Sequence, residues 1–275
     1  MLALLRDASM APGKLTMPIS RKTLNEPSGE LVEIDFYFGK LSSADAIELV
    51  TKHCLDNGGE CSNRIYASQF DGARAASFEG VYSDEITQIE VTDDDLLAHF
   101  ADENKRIVRV PIQDALGISR ESSDVITFSG ISAAASQSDS HPVAIVAEGW
   151  VFSTPGYSQE AAKAGKKCYR RFVDYCRRLR PDYAAILNED SLPCCHDLKQ
   201  GRGKDCFLDF FVNPDVYGEK LVTELEGMYA DSYLERSSEG LYISTIAPYN
   251  PKKRSIARKE ARARSAVVAK LLANR

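Results

Sequence analysis

The sequence predicts an α+β protein with a mostly antiparallel sheet and helices packed on one face. Short segments alternate apolar and polar residues as strands do, and longer segments repeat apolar residues at helical spacing, most of them after a residue that can cap a helix. Of the 275 residues, 44% are hydrophobic and 27% are charged, which is ordinary for a globular protein. No segment approaches the ~18 consecutive apolar residues of a membrane span. Membrane, collagenous and coiled-coil classes are therefore excluded.

The first half of the chain predicts the order β-α-β-β-α-β. A helix begins at Ser42, which forms a capping-box pattern with Asp45, and ends at Asn57-Gly58-Gly59. Thr92 and three aspartates, Asp93 to Asp95, open a shorter helix that ends at Phe100, and the aspartate charges favour its dipole. The four predicted strands of this series are Leu31–Phe38, Arg64–Phe70, Ile86–Val91 and Ile107–Val110, and Val125–Phe128 is a further predicted strand after it.

The second half begins with the longest apolar run, His141–Ser153, which predicts a central strand with Trp150 near its end. Ser158 caps the helix that follows, and Pro181 ends it. A further helix begins at Pro214, and the basic C-terminus has helical spacing from about Ser255 to Ala273. The remaining predicted strands are Tyr183–Leu187, Cys206–Val212, Tyr233–Glu235 and Leu241–Ile246.

Four segments make up the predicted domain organisation. Residues 1–28 form a flexible N-terminal extension, 29–128 a first α+β lobe, 141–249 a second α+β lobe, and 250–275 a basic C-terminal helix. The small polar residues 129–140 are the predicted connection. Two alternatives stay open, a single domain and two similar sub-lobes.

Charge is distributed unevenly along the chain. The net charge is -6, but residues 1–157 hold 24 acidic and 12 basic side chains, whereas residues 250–275 hold 9 basic and 1 acidic. An acidic body attracts a basic partner and repels nucleic acid, and the tail alone can do the reverse. The seven cysteines and the lack of an export signal predict a reducing compartment, the cytoplasm.

The densest polar segment, Asn188 to Asp197, follows a predicted strand, and Cys206 lies a little further on. The cysteine and histidine spacing matches no zinc ribbon or finger, and Gly201–Lys204 lacks the spacing of a phosphate loop. We therefore predict no metal and no cofactor. If the chain is an enzyme, a hydrolase or transferase, the residues expected to act are Glu189, Cys195, His196 and Asp209.

The leading functional hypothesis is a soluble acidic binding or inhibitor protein, of the immunity or antitoxin type, that captures a basic protein partner without catalysis. Its predicted contact residues are Asp93, Asp94, Asp95, Asp102 and Glu103. One alternative is the enzyme just described, with its site around Glu189–Cys206. Another is a nucleic-acid-associated factor that acts through the basic residues of the tail, Lys252, Lys253, Arg254, Arg258, Lys259, Arg262 and Arg264. The tail can also pack against the acidic body, and we favour that interpretation over nucleic-acid binding.

Overall fold

Seven helices and eleven strands are found in the part of the chain that the computed structural model describes, which is residues 26–69, 86–92, 95–102, 105–118, 122–129, 141–153, 158–252 and 256–274. The strands are β1 Leu31–Tyr37, β2 Glu60–Cys61, β3 Arg64–Gln69, β4 Ile86–Glu90, β5 Lys105–Gln113, β6 Asp124–Phe128, β7 Val143–Glu148, β8 Tyr183–Asn188, β9 Asp209–Val212, β10 Tyr233–Arg236 and β11 Leu241–Ser244. The helices are α1 Ser43–Asp56, α2 Leu96–Phe100, α3 Trp150–Ser153, α4 Gln159–Leu179, α5 Cys195–Lys199, α6 Pro214–Met228 and α7 Arg258–Ala273.

The long helices begin where their capping residues predict. The side-chain oxygens of Ser42 and Ser158 accept the backbone N–H of Asp45 and Ala161, at 3.1 Å and 3.0 Å. Each bond satisfies one of the N–H groups that a helix start leaves without an intrahelical partner. At the other end of α4, Arg180 adopts a left-handed conformation with φ 51°, so the chain leaves the helix directly before Pro181.

The described strands form one antiparallel sheet, in the order β10-β11-β9-β8-β1-β7-β6-β5-β3-β4, with β2 pairing to β5. This confirms the predicted α+β class. The first strand of the chain lies near the middle of the sheet, between β7 and β8. The two segments predicted as lobes are therefore hydrogen-bonded to each other through β1.

Each face of the sheet has its own core. Along β8, Ile186 belongs to the first core, and Tyr183 and Leu187 belong to the second, because successive strand residues point to opposite faces. Helices α1 and α4 cover the first face, with Ile47 and Phe172 fully buried against it. Helices α5, α6 and α7 cover the second face beside β8, β9 and β11. The predicted packing of helices on one face therefore applies to α1 and α4. The structure adds α5, α6 and α7, which cover one end of the second face.

Toward the other end of the sheet, the second face is polar. The register places Thr127, Arg109, Tyr66 and Gln88 in one row across β6, β5, β3 and β4. The carboxylate of Glu26 forms an ion pair with Arg109 at 2.5 Å on this face. Strand β1 therefore lies at the boundary between the helix-covered part of the second face and this polar part.

The apolar run His141–Ser153 is not one strand. Strand β7 ends at Glu148, and Trp150 begins the short helix α3 with 62% of its surface exposed. At Gly149 the chain approaches β1 closely, since a Cβ atom there would lie 2.9 Å from the backbone nitrogen of Val32. The close approach and the turn that follows end the strand, although the apolar composition continues.

The predicted domain boundaries stay predictions. Of the connection 129–140 only Ser129 lies among the described residues, as do residues 26–28 of the predicted N-terminal extension. None of the helices in the described ranges combines the length and the apolar character needed to cross a bilayer.

Candidate functional site

The candidate site begins with two carboxylates on β1. Glu33 and Asp35 are two residues apart, so both side chains point to the second face of the sheet, opposite to the buried Ile34. Asp35 lies between Ala144 of β7 and Ala185 of β8. Both cross-strand neighbours are thus alanines, and Asp35 itself is fully buried.

Asp35 is fully buried and only partly satisfied. Its Oδ2 accepts the hydroxyl of Ser129 and the backbone N–H of Leu192, the latter at 3.0 Å. Its Oδ1 has no hydrogen-bond partner in the described structure. Burial raises the pKa of Asp35 to about 7, although the bonds from Ser129 and Leu192 oppose this rise, and the nearby Asp190 raises the pKa further.

Glu33 and Asp190 complete a group of three carboxylates. Burial raises the pKa of Glu33 to about 9, and the charges of Asp35 and Asp190 add to this rise. Asp190 is exposed, and its Oδ1 accepts the N–H of Ser191 at 2.9 Å. No ion pair joins any of the three carboxylates to a basic side chain in the described ranges. We call Glu33, Asp35 and Asp190 the carboxylate cluster.

A cleft of about 290 Å³ opens beside the cluster, and Asp190 and Leu192 contribute to its wall. Its other walls come from the loop between β8 and β9. There Asp197 accepts the N–H and the thiol of Cys194, at 3.3 Å and 3.1 Å, and forms an ion pair with Arg202 at 3.0 Å. The remaining lining residues are Ser191, Pro193, Gly203, Lys204, Asp205 and Cys206. The cleft is thus lined by side chains of both charges, and Asp190 is the member of the carboxylate cluster that contributes to its wall.

The predicted catalytic residues do not form a common site. Glu189 is exposed with φ 52°, and His196 is exposed with its Nε2 2.7 Å from the amide nitrogen of Gln200. Cys195 is partly buried and is the first residue of α5, directly after the capping residue Cys194. No hydrogen bond or ion pair within the described residues joins any two of Glu189, Cys195, His196 and Asp209. Cys195 and His196 are neighbours on a helix, where consecutive side chains diverge.

Asp209 is buried on β9, where its partners come from β11 and the residue that follows it. Its Oδ1 accepts the hydroxyl of Ser244 and the N–H of Thr245, the latter at 3.1 Å. Burial raises the pKa of Asp209 to about 7, and these bonds lower it in part. Asp209 borders a smaller cavity of about 110 Å³, which also reaches Asp190 and Cys206.

The predicted partner-binding aspartates lie around α2. Asp95 is exposed, and its Oδ1 accepts the N–H of Thr92 at 2.6 Å. Asp102 forms an ion pair with Lys105 at 3.0 Å. Asp93, Asp94 and Glu103 lie outside the described residues. The role of this surface stays a prediction.

The basic tail is packed onto the body of the protein as α7. Its Val268 and Leu272 are fully buried in the second core, and Ser265 accepts the N–H of Phe207 at 2.9 Å. Arg264 forms an ion pair with Asp231 at 2.5 Å, and Arg262 with Asp205 at 3.5 Å. Arg258 and Lys259 are exposed, whereas Lys253 and Arg254 lie outside the described ranges. The ammonium of Lys252 lies 5.6 Å from the ring centre of Tyr233.

The sequence predictions missed Glu33 and Asp35. Both stand in a strand whose alternation was recognised, and two acidic residues on one face of a central strand are the available signal. That signal was weak because the burial of the face depends on α5, α6 and α7, which lie more than 150 residues further along the chain. Within the described residues, no three His, Cys, Asp or Glu side chains form a group that could hold a metal ion.

Comparison with known proteins finds similarity among solved structures, at low sequence identity. No protein-family model and no curated protein matches the sequence. The solved structure of the Pseudomonas aeruginosa T6SS protein PA0821 is similar to this chain with a TM-score of 0.43 and 12% sequence identity, over 89% of this chain and 74% of that one.

Proposed function

We propose that this chain is a cytoplasmic binding protein of the immunity or antitoxin type, which captures a basic protein partner, and that a lysine or arginine side chain of the partner enters the cleft at the carboxylate cluster. The observation that carries this proposal is a group of three carboxylates without a basic partner in the described ranges, in which Asp190 is exposed and lines the cleft and the buried Asp35 behind it has an unpartnered Oδ1. A buried carboxyl oxygen without a donor costs free energy that a partner's donor can recover. The free state of the seven cysteines, all of them among the described residues, agrees with a reducing compartment.

Guanidinium and ammonium groups suit this cluster chemically. Both carry several N–H donors, and a guanidinium presents them in a planar fork that fits carboxylates. Hydrogen bonds between charged groups are shorter and stronger than neutral ones. A cation beside Glu33 and Asp35 would also lower the pKa of both groups from their raised values. We therefore expect the two carboxyls to lose protons when the partner binds near neutral pH.

Exposed carboxylates elsewhere on the body support fast capture. Glu48, Asp56, Glu60 and Glu90 are at least partly exposed and form no ion pair among the described residues. Unpaired charges of one sign raise the association rate of an oppositely charged partner, in a manner that salt weakens. The aspartates Asp93–Asp95 are assigned to the same steering surface under this proposal.

The test is capture of the partner by immobilised protein from a lysate of the host, at low and high salt, with quantitative mass spectrometry. Wild type is compared with the double variant Glu33→Gln/Asp190→Asn and with Glu224→Gln, which removes an exposed, unpaired carboxylate of α6. We expect wild type and the control to retain one basic protein at low salt. The double variant is expected to lose at least about tenfold in affinity, because buried charge pairs contribute strongly to interfaces.

Equal retention of a basic protein by all three proteins would reject the cleft as the contact. Failure of every form to retain a basic protein would reject capture of a basic partner. In a second arm, neutralising Asp93–Asp95 is expected to slow association and flatten its salt dependence, and unchanged kinetics would remove that surface from the proposal.

A further inference from the structure

A further cavity, which shares no lining residue with the two already described, runs along the basic helix α4. Its wall includes Lys166, Tyr169, Arg170, Val173, Asp174 and Arg177 of α4, together with Tyr233, Glu235 and Pro251. The α4 residues recur at intervals of three and four, so they form one stripe along the helix. The cavity has a volume of about 460 Å³, within the range of small-molecule sites. We call it the α4 groove.

The groove keeps two positive charges without an internal counter-charge. Its acidic members are already paired, since Glu235 lies 2.5 Å from Arg177 and Asp174 lies 3.2 Å from Arg178. Lys166 and Arg170 form no ion pair in the described structure and are exposed. Their spacing of four residues places the two cations side by side on the helix.

Tyr169, which also lines the groove, has a hydroxyl donor without an acceptor among the described residues. The side chain is 4% exposed, and its hydroxyl has no hydrogen-bond partner in the described structure. Tyr233 packs edge-to-face against Tyr169, with ring centres 5.8 Å apart, and carries Lys252 over its ring. A buried hydroxyl without an acceptor costs free energy, so an acceptor that reaches Tyr169 would be stabilising.

We propose that the α4 groove binds a small phosphate-bearing molecule, whose phosphoryl group is held by Lys166 and Arg170 and accepts a hydrogen bond from the hydroxyl of Tyr169. Lysine and arginine together with a neutral hydroxyl donor match the three acceptor oxygens and the double charge of a phosphate monoester. Val173, Tyr233 and Pro251 offer apolar and aromatic surface for the rest of the molecule. This site shares no residue with the carboxylate cluster, so it is independent of the proposed capture of a basic partner.

The probes are phenyl phosphate, inorganic phosphate and benzoate, titrated into the full chain by calorimetry at constant ionic strength. Four proteins are compared: wild type, Lys166→Gln/Arg170→Gln, Tyr169→Phe and Lys163→Gln. The last removes an exposed lysine of α4 that does not line the groove. We expect phenyl phosphate to bind wild type and Lys163→Gln equally, and the double variant about tenfold or more weaker. Benzoate is expected to bind more weakly than phenyl phosphate, because it has one charge and two acceptor oxygens.

Tyr169→Phe separates a ligand-binding role from a structural one. Since the hydroxyl bonds nothing in the described structure, its removal should leave the thermal midpoint unchanged or higher. Affinity for phenyl phosphate should nevertheless fall about three- to tenfold. Equal affinities of wild type and the double variant would overturn the site, as would the absence of binding to wild type at millimolar probe. Benzoate binding as tightly as phenyl phosphate would overturn the phosphate assignment, and unchanged affinity of Tyr169→Phe would remove that hydroxyl from the site.

Discussion

At the residue scale, three carboxyl groups are buried in strands and form no ion pair in the described structure. Asp35, Asp124 and Asp209 each accept hydrogen bonds from backbone N–H groups or hydroxyls. Burial nevertheless raises their pKa values, to about 7, 6 and 7 respectively. In the unfolded chain each would titrate near the ordinary value of 3.8. The folded protein therefore binds more protons than the unfolded chain between these two values, and folding stability falls as the pH rises through this window.

Asp209→Asn should remove one part of that pH dependence. Asparagine keeps the carbonyl oxygen that accepts from Ser244 and Thr245 but cannot ionise. The stability that protonated Asp209 provides is complete below pH 3.8 and is lost as the pH rises through about 7. The free energy of unfolding of the variant should therefore rise relative to that of wild type between pH 4 and 8, by at most about 4 kcal/mol.

Urea denaturation over that pH range measures the free energy of unfolding of both proteins. If the free energies of unfolding of the two proteins change with pH in parallel, the pKa of Asp209 is the same in the folded and the unfolded chain. Asp231→Asn is the control with the opposite sign, because the hydrogen bonds from Arg264 lower the pKa of Asp231.

At the scale of elements, helix α4 shows how a glycine can be required inside a helix. A Cβ atom on Gly165 would lie 2.6 Å from the carbonyl oxygen of Pro248. The helix therefore approaches the 247–249 segment more closely than any side chain permits. That contact sets how α4 lies against the first core, where Cys168 and Phe172 are fully buried.

Gly165→Ala should destabilise the protein, although alanine is the better helix former. Helix propensity alone would give a gain of about 1 kcal/mol, but the clash with Pro248 is expected to outweigh it by about 1–3 kcal/mol. Gly227 of α6 is the matched control, since a Cβ there meets nothing within 4 Å. Thermal unfolding should show a lower midpoint for Gly165→Ala and an unchanged or higher one for Gly227→Ala. A higher thermal midpoint for both variants would mean that α4 can move away from Pro248.

At the scale of the whole molecule, the C-terminal helix α7 completes the second core. Helix α7 buries Val268, Ala269 and Leu272 against β8, β9 and β11 through the second core. Full burial of each large apolar side chain contributes about 1.5–3 kcal/mol. The basic tail is therefore part of the fold, and its charge lies on the outer side of a helix whose inner side is apolar.

Deletion of residues 258–275 is expected to lower stability by several kcal/mol, because it uncovers the second core. The triple variant Arg258→Gln/Lys259→Gln/Lys270→Gln is the matched control, since it neutralises exposed cations without ion pairs and keeps the buried side. Thermal unfolding should show a large loss for the deletion and a near-wild-type midpoint for the triple variant. A truncated protein as stable as wild type would show that α7 is an appendage. That result would favour the nucleic-acid hypothesis, which a salt-dependent titration with DNA would then test.

The sequence by itself determined the elements whose signals are local. Capping by Ser42 and Ser158, the proline at the start of α6 and the apolar stripe of α4 all depend on residues within one or two turns, and each of these helices is found where it was predicted. Strand ends were less well determined, as His141–Ser153 shows, because a strand stops where its partner or a close backbone contact ends the pairing. The uneven charge of the chain was likewise visible directly.

Only the tertiary structure decided which distant residues share a site. Glu33 and Asp35 meet Ser129, Asp190 and Leu192 because β1 pairs with β7 and β8, across sequence separations that no local pattern encodes. Asp209 lies on the same face of β9 as Phe211 of the first core, whereas Cys195 packs against the second core. Burial is a property of the assembled faces, and it is burial that changes a strand carboxylate from a solvated group into a partly unsatisfied one.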